Sequence, residues 1–228
     1  MKITQAQKIK NQRIIIDSAV KVFSQQGYKN ATIKEIAKDS KITEPSIYNY
    51  FTNKENLVFG YFDLELQNTI EEIRHNHDFI KLNFGEKFQF FLETILESLE
   101  KNRPFIEECF QYVFVKSSIH TSSEILQQKK ILTQFMREQL ITSQREGTLP
   151  SSPLDEFFLG LLWDFYIGIV CYWLKDQSPS FTNTSQLIDK SMGLLDEVLK
   201  TNIANKILDI LQFFVRNHLF NSLGRFHG

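Results

Sequence analysis

Between Ala31 and Leu57 the chain reads ATIKEIAKDSKITEPSIYNYFTNKENL, and its polar residues suit hydrogen bonding rather than bond breaking. Thr43, Glu44, Ser46, Tyr48 and Asn49 crowd into one short stretch, with Tyr50 and Lys54 just beyond. Asn49 is the one amide of that stretch. A planar amide offers a donor and an acceptor side by side, the pattern that pairs bidentately with an adenine edge. The competing reading is an Asn49 that is merely solvated, with Tyr48 and Tyr50 serving only in packing. Tyr50 and Lys54 are assigned to phosphate, and Thr32 and Lys34 add phosphate contacts from the segment before. Lys54 falls at a helix start, where unpartnered N–H groups also favour phosphate.

The elements that must hold these residues follow from local chemistry. Thr32 and Glu35 have the spacing of a capping box, which satisfies orphan N–H groups at a helix start. Ile33, Ile36 and Ala37 give that helix one apolar face, and it runs about two turns before Asp39-Ser40-Lys41. Thr43 caps a second helix, and Pro45 is harmless in its first turn, where N–H groups have no intrahelical partner. Ile47 and Phe51, four apart, face inward. Ser46, Tyr48, Asn49 and Tyr50 face outward. So short a helix does not persist alone. Packed on its neighbour it is the second helix of a helix-turn-helix, the element that enters the DNA major groove.

The same residues resemble a family. Thr32-Ile33-Lys34-Glu35-Ile36-Ala37, then Ile42 through Phe51 (ITEPSIYNYF), then Lys54-Glu55-Asn56-Leu57 are similar to the DNA-binding region of the tetracycline-repressor (TetR) family. Family members often carry Ala-Gly in the turn, where this chain has Ser40-Lys41. Without glycine, one of those two residues bears a small strain. The resemblance implies a dimer built from the last two core helices, a fourth helix that links head to body, and a ligand-responsive regulator, most often a repressor.

Charge agrees with the motif. The first 60 of 228 residues hold ten Lys or Arg against five Asp or Glu, leaving a net −6 on the remainder. A basic head on an acidic body is the footprint of a protein that touches phosphate with one end. Five prolines and no alternating β-branched runs favour an all-α protein. Cys109 and Cys171 form no CxxC pair and sit in apolar runs, so buried thiols in a reducing cytoplasm are expected. The N-terminus has no apolar core of a signal peptide. Glu72 and His75 have the Glu-x-x-His spacing of a di-iron bundle, but a second copy is missing. With no nucleophile elbow, phosphate loop or dinucleotide fingerprint, neither an enzyme nor a cofactor is expected.

Along the chain, helices are expected over 8–26, from Thr52 or Asn53 to about His75, from Asn83 through Leu99, from Pro104 through FIEECFQYVFVKSSI, over 123–145, 157–174 and 184–200, and in a tail striped by Ile203, Ile207, Ile210, Leu211, Phe214 and Val215. That makes about ten helices: an N-terminal three-helix helix-turn-helix head over 1–60 and a helical ligand-binding and dimerisation domain over 61–228. Segment 157–174 (FFLGLLWDFYIGIVCYWL) holds one charge, Asp164. It sits at the short limit of a membrane span, and its flanks show no basic bias to orient it. A helix apolar on all sides otherwise needs a partner surface, which a twofold supplies by pairing 157–174 and 184–200 with their copies. Phe91, Ile95, Cys109, Tyr112, Val113, Met136, Trp163 and Tyr166 are candidates for the wall of an apolar effector pocket, each with plain core packing as the alternative. The expected function is a regulator released from a palindromic double-stranded operator by a small hydrophobic effector. A helical interaction protein that keeps the head, or a membrane-tethered regulator, are the other readings.

Overall fold

The computed structural model describes residues 4–113, 123–200 and 206. Among them are nine α-helices and no strand: α1 (Gln5–Gln26), α2 (Ile33–Ser40), α3 (Glu44–Tyr48), α4 (Lys54–His75), α5 (Phe84–Glu100), α6 (Arg103–Val113), α7 (Ser123–Arg145), α8 (Asp155–Lys175) and α9 (Thr182–Lys200). The all-α expectation holds. The expected tail helix and the continuation of α6 past Val113 lie outside the described residues.

Packing groups residues 1–77 with 91–132, and 78–90 with 133–228. In the first unit Phe105 of α6 stacks on Phe23 of α1, ring centres 6.0 Å apart, and meets Tyr61 of α4 edge-on at 4.9 Å. The head thus shares its core with α4 and α6. Ile15, Ala19, Val22 and Phe23 form the buried stripe of α1, and Ile36, Ile47 and Leu57 of α2, α3 and α4 are buried as well. α1 ends at Gly27, whose φ of 77° is a region that a Cβ disfavours, and the Gly27 N–H returns to the Phe23 carbonyl.

In the second unit α8 packs on α9. Their connection is organised by Asp176, which is buried after the last turn of α8. Its carboxylate accepts from the Thr184 N–H and hydroxyl at 2.9 and 2.6 Å and from the Ser178 N–H and hydroxyl at 2.9 and 2.7 Å. Those bonds to the charged form, Thr184's foremost, hold the carboxyl well below the usual range. The anion also sits in the first turn of α9, where orphan N–H groups favour it.

α8 has the length and composition to cross a membrane. It buries one side only: Leu159, Leu162, Trp163, Tyr166, Ile169, Val170 and Trp173. Phe157, Leu161 and Tyr172 remain 64%, 46% and 43% exposed, and Leu194 of α9 is 63% exposed. A side chain added at Gly168 or Gly193 would meet nothing within 4 Å.

Candidate nucleic-acid interface

The interface residues rest on two short helices whose ends are fixed locally. At α2 the capping box is complete: Thr32 Oγ1 accepts from the Glu35 N–H at 3.3 Å, and Glu35 Oε2 accepts from the Thr32 N–H at 2.8 Å. The Thr32 hydroxyl donates back to Glu35 Oε2 at 2.8 Å, so its first commitment is to the cap, and that bond, followed by the Thr32 N–H, lowers the Glu35 carboxyl pKa. Lys21 of α1 pairs with Asp39 near the end of α2. The strain expected in the turn settles on Lys41, which is left-handed at φ 55°, ψ 26°.

α3 spans five residues. Thr43 stands at its N-cap without a side-chain bond to the helix N–H groups, and its hydroxyl instead meets that of Ser46 at 2.8 Å. The regular helix stops at Tyr48, earlier than the Ile47–Phe51 spacing suggests. The Phe51 N–H still reaches the Ile47 carbonyl at 2.9 Å, so the chain keeps helical curvature and Phe51 stays buried. Tyr48, 47% exposed, and Asn49 lie on the outside, with Ser46, Glu44 and Tyr50 half-buried and Thr43 exposed. The Tyr50 hydroxyl accepts from Asn11 Nδ2 of α1 at 3.0 Å. Together Lys8, Asn11, Ile42, Thr43, Ser46, Asn49 and Tyr50 line a shallow cleft. Lys8 and Asn11 thus join the surface unforeseen. They lie three apart on the polar face of α1, a helical spacing that offers no hint of contact with a segment some 35 residues on.

Lys54, expected to serve phosphate, makes hydrogen bonds within the head. Its ammonium donates to the carbonyls of Tyr28, Lys29 and Ala31 at 2.8, 3.3 and 2.9 Å and lies 4.9 Å from the centre of the Tyr28 ring. An ammonium has three N–H donors, and all three have partners inside the protein. Glu108 of α6 takes the Tyr28 N–H at 3.2 Å from the same loop. Lys8, Lys34, Lys38 and Lys41 are exposed on the head and supply its positive surface.

Of the residues expected to line an effector pocket, Phe91, Ile95 and Cys109 fall in the first packing unit, and Met136, Trp163 and Tyr166 in the second. All six are buried. Burial pushes the Cys109 thiol far up, as in an unreactive core cysteine. The side chains of Tyr112 and Val113 lie outside those described.

Comparison with known proteins gives the same picture. Residues 15–60 match the model of bacterial regulatory proteins of the tetR family, and residues 87–214 match that of the tetracyclin repressor-like C-terminal domain. The chain is 32% identical to the HTH-type transcriptional regulator YuxN of Bacillus subtilis (strain 168), over 38% of this chain but only 31% of that protein. It is 25% identical to the regulator YhgD of the same organism, over 75% of this chain and 88% of YhgD. Its fold is similar to that of Bacillus subtilis FadR in complex with stearoyl-CoA, with a TM-score of 0.60 and 20% identity over 79% of this chain and 96% of that one. With one family model on the helix-turn-helix and another over more than half of its length, the chain belongs to the TetR family of DNA-binding transcriptional regulators.

Proposed function

We propose that the protein is a repressor that binds a palindromic operator as a homodimer and leaves it when a small hydrophobic effector binds the helical body. The observation that carries the DNA half is the presentation of α3. A five-residue helix is braced by a capped α2 and by Tyr50 against α1, and it holds Tyr48 and Asn49 outward on a basic head. Asn49 is the base reader, with Thr43, Glu44, Ser46 and Tyr48 around it in the groove. Lys34, Tyr50 and the exposed lysines Lys8 and Lys41 serve phosphate.

The dimer half rests on the outward stripe of α8 and α9. Phe157, Leu161, Tyr172, Leu187 and Leu194 are large, apolar and exposed in the single chain, and Gly168 and Gly193 leave room for a close helix approach. Burying that stripe against its copy, through 157–174 and 184–200, removes apolar surface from water at about 25 cal/mol per Å². It also places two recognition helices on two half-sites. Such a chain works in the cytoplasm, beside DNA.

An effector releases DNA only if it binds the DNA-incompetent arrangement better. Stearoyl-CoA is the first probe, because a protein of similar fold binds it. Fluorescence anisotropy on DNA from upstream of the gene tests both halves. The expected result is saturable binding that competitor DNA of random sequence does not remove. Equal affinity for random DNA excludes the repressor reading. If every ligand that demonstrably binds the dimer leaves operator affinity unchanged, induction is excluded.

A further inference from the structure

α1, the start of α4 and the first turn of α7 border a cleft of about 440 Å³. Tyr50, Phe51 and Phe59 give it aromatic walls, and Asn56, Asp63 and Glu124 give it polar ones. Asp63 Oδ2 accepts from Gln67 Nε2 at 2.9 Å. Its other oxygen, Oδ1, is buried and accepts no hydrogen bond among the described residues. Asn56 makes no hydrogen bond to it. Its amide nitrogen is on Glu124 Oε1, and its amide oxygen takes the Thr52 hydroxyl. Among the described residues the cleft is lined by two carboxylates and by no Lys, Arg or His. A buried acceptor without a donor is rare in folded proteins and calls for an explanation. Burial pushes the Asp63 carboxyl up, as expected of a carboxylate short of partners.

We propose that this cleft binds a small organic cation with N–H donors, a primary ammonium or an amidinium on an apolar body, with the donor on Asp63 Oδ1 and Glu124 as the second negative group. The apolar body lies against the aromatic walls, where a cation is also favoured by the ring faces. The volume is that of a small-molecule site. Occupancy would bear on the end of the recognition element, because Tyr50 and Phe51 belong to the wall. The binding itself is independent of the operator and effector readings, so it is tested without DNA.

Isothermal titration of the purified full chain with benzamidinium and with phenethylammonium reads it directly, with tetraethylammonium as a cation that lacks donors. The two donor cations should bind, and tetraethylammonium roughly tenfold more weakly or not at all. Asp63→Asn should weaken the donor cations by about tenfold or more, and Glu124→Gln by less. Asp63→Asn removes a carboxylate oxygen that has no donor, so it should melt no lower than the parent. If it does melt lower, Glu124→Gln alone decides. No binding of either donor cation at millimolar concentration, or affinities unmoved by the variants, overturns the proposal. Equal binding of tetraethylammonium overturns the role of the donor.

Discussion

Replacing Lys54 separates two roles that the sequence alone does not distinguish. Lys54→Met keeps the aliphatic stem and removes the ammonium that ties the carbonyls of Tyr28, Lys29 and Ala31 to the start of α4. Hydrogen bonds to a charged group contribute about 1.5–3 kcal/mol each. Three on one ammonium are not additive, and this one is half-buried, so water replaces part of the loss. The expected cost is about 2–3 kcal/mol, seen as a lower urea midpoint in far-UV circular dichroism at fixed protein concentration. Operator affinity is then measured across a salt series. Loss of a phosphate contact reduces the slope of log affinity against log salt by about one. Loss of a loop tie leaves the slope in place while weakening the head as a whole. A variant with the parent's urea midpoint and a slope lower by one refutes the structural role and restores the phosphate contact.

Other outcomes follow from single positions. Lys41→Gly should stabilise the protein by about 0.5–1 kcal/mol, because it relieves a left-handed lysine; a thermal midpoint that does not rise contradicts this. Gly60→Ala places a Cβ 2.7 Å from the buried Phe51 ring and should cost about 1–3 kcal/mol, read by urea unfolding together with lost operator binding. Asp176 has a depressed pKa in the fold. Its contribution is therefore complete above the unfolded-state pKa of about 3.9 and falls away as pH drops below it. Asp176→Asn should flatten the acid limb of the stability profile, and an unchanged limb between about pH 4 and 2 would sink the assignment.

The parts of the head that sequence made legible are those whose partners lie close in the chain. Thr32 and Glu35 are three residues apart, and both halves of their capping box form. Gly27 after an apolar stripe marks the end of α1, and α7 runs over the expected 123–145. The tie that Lys54 makes to the loop has no sequence signal, because its partners are backbone carbonyls 23 to 26 residues away, and a carbonyl leaves no trace in residue type. Lys8 and Asn11 escaped for a related reason: their place beside α3 depends on how α1 crosses it. Ile47 and Phe51 keep helical spacing through two turn residues, so their spacing does not mark where α3 ends. The residues expected to line an effector pocket are aromatic and apolar, and in a helical body those same types also make the core. Trp163 and Tyr166 are both buried and meet as a tilted pair with ring centres 5.6 Å apart. Segment 157–174 reads in the sequence as apolar on all sides, and in the fold α8 buries one side while Phe157, Leu161 and Tyr172 stay exposed on the other.

The central claim is that the α3 surface reads DNA as one half of a twofold pair. Sedimentation velocity of the protein with a labelled operator fragment, run beside an Asn49→Ala variant through a site-selection experiment, tests it most directly. The expected result is two protomers, or a multiple of two, on a site with related half-sites, and an Asn49→Ala profile relaxed at one base pair in each half. One protomer per site, or a selection profile unchanged by the loss of Asn49, would contradict it.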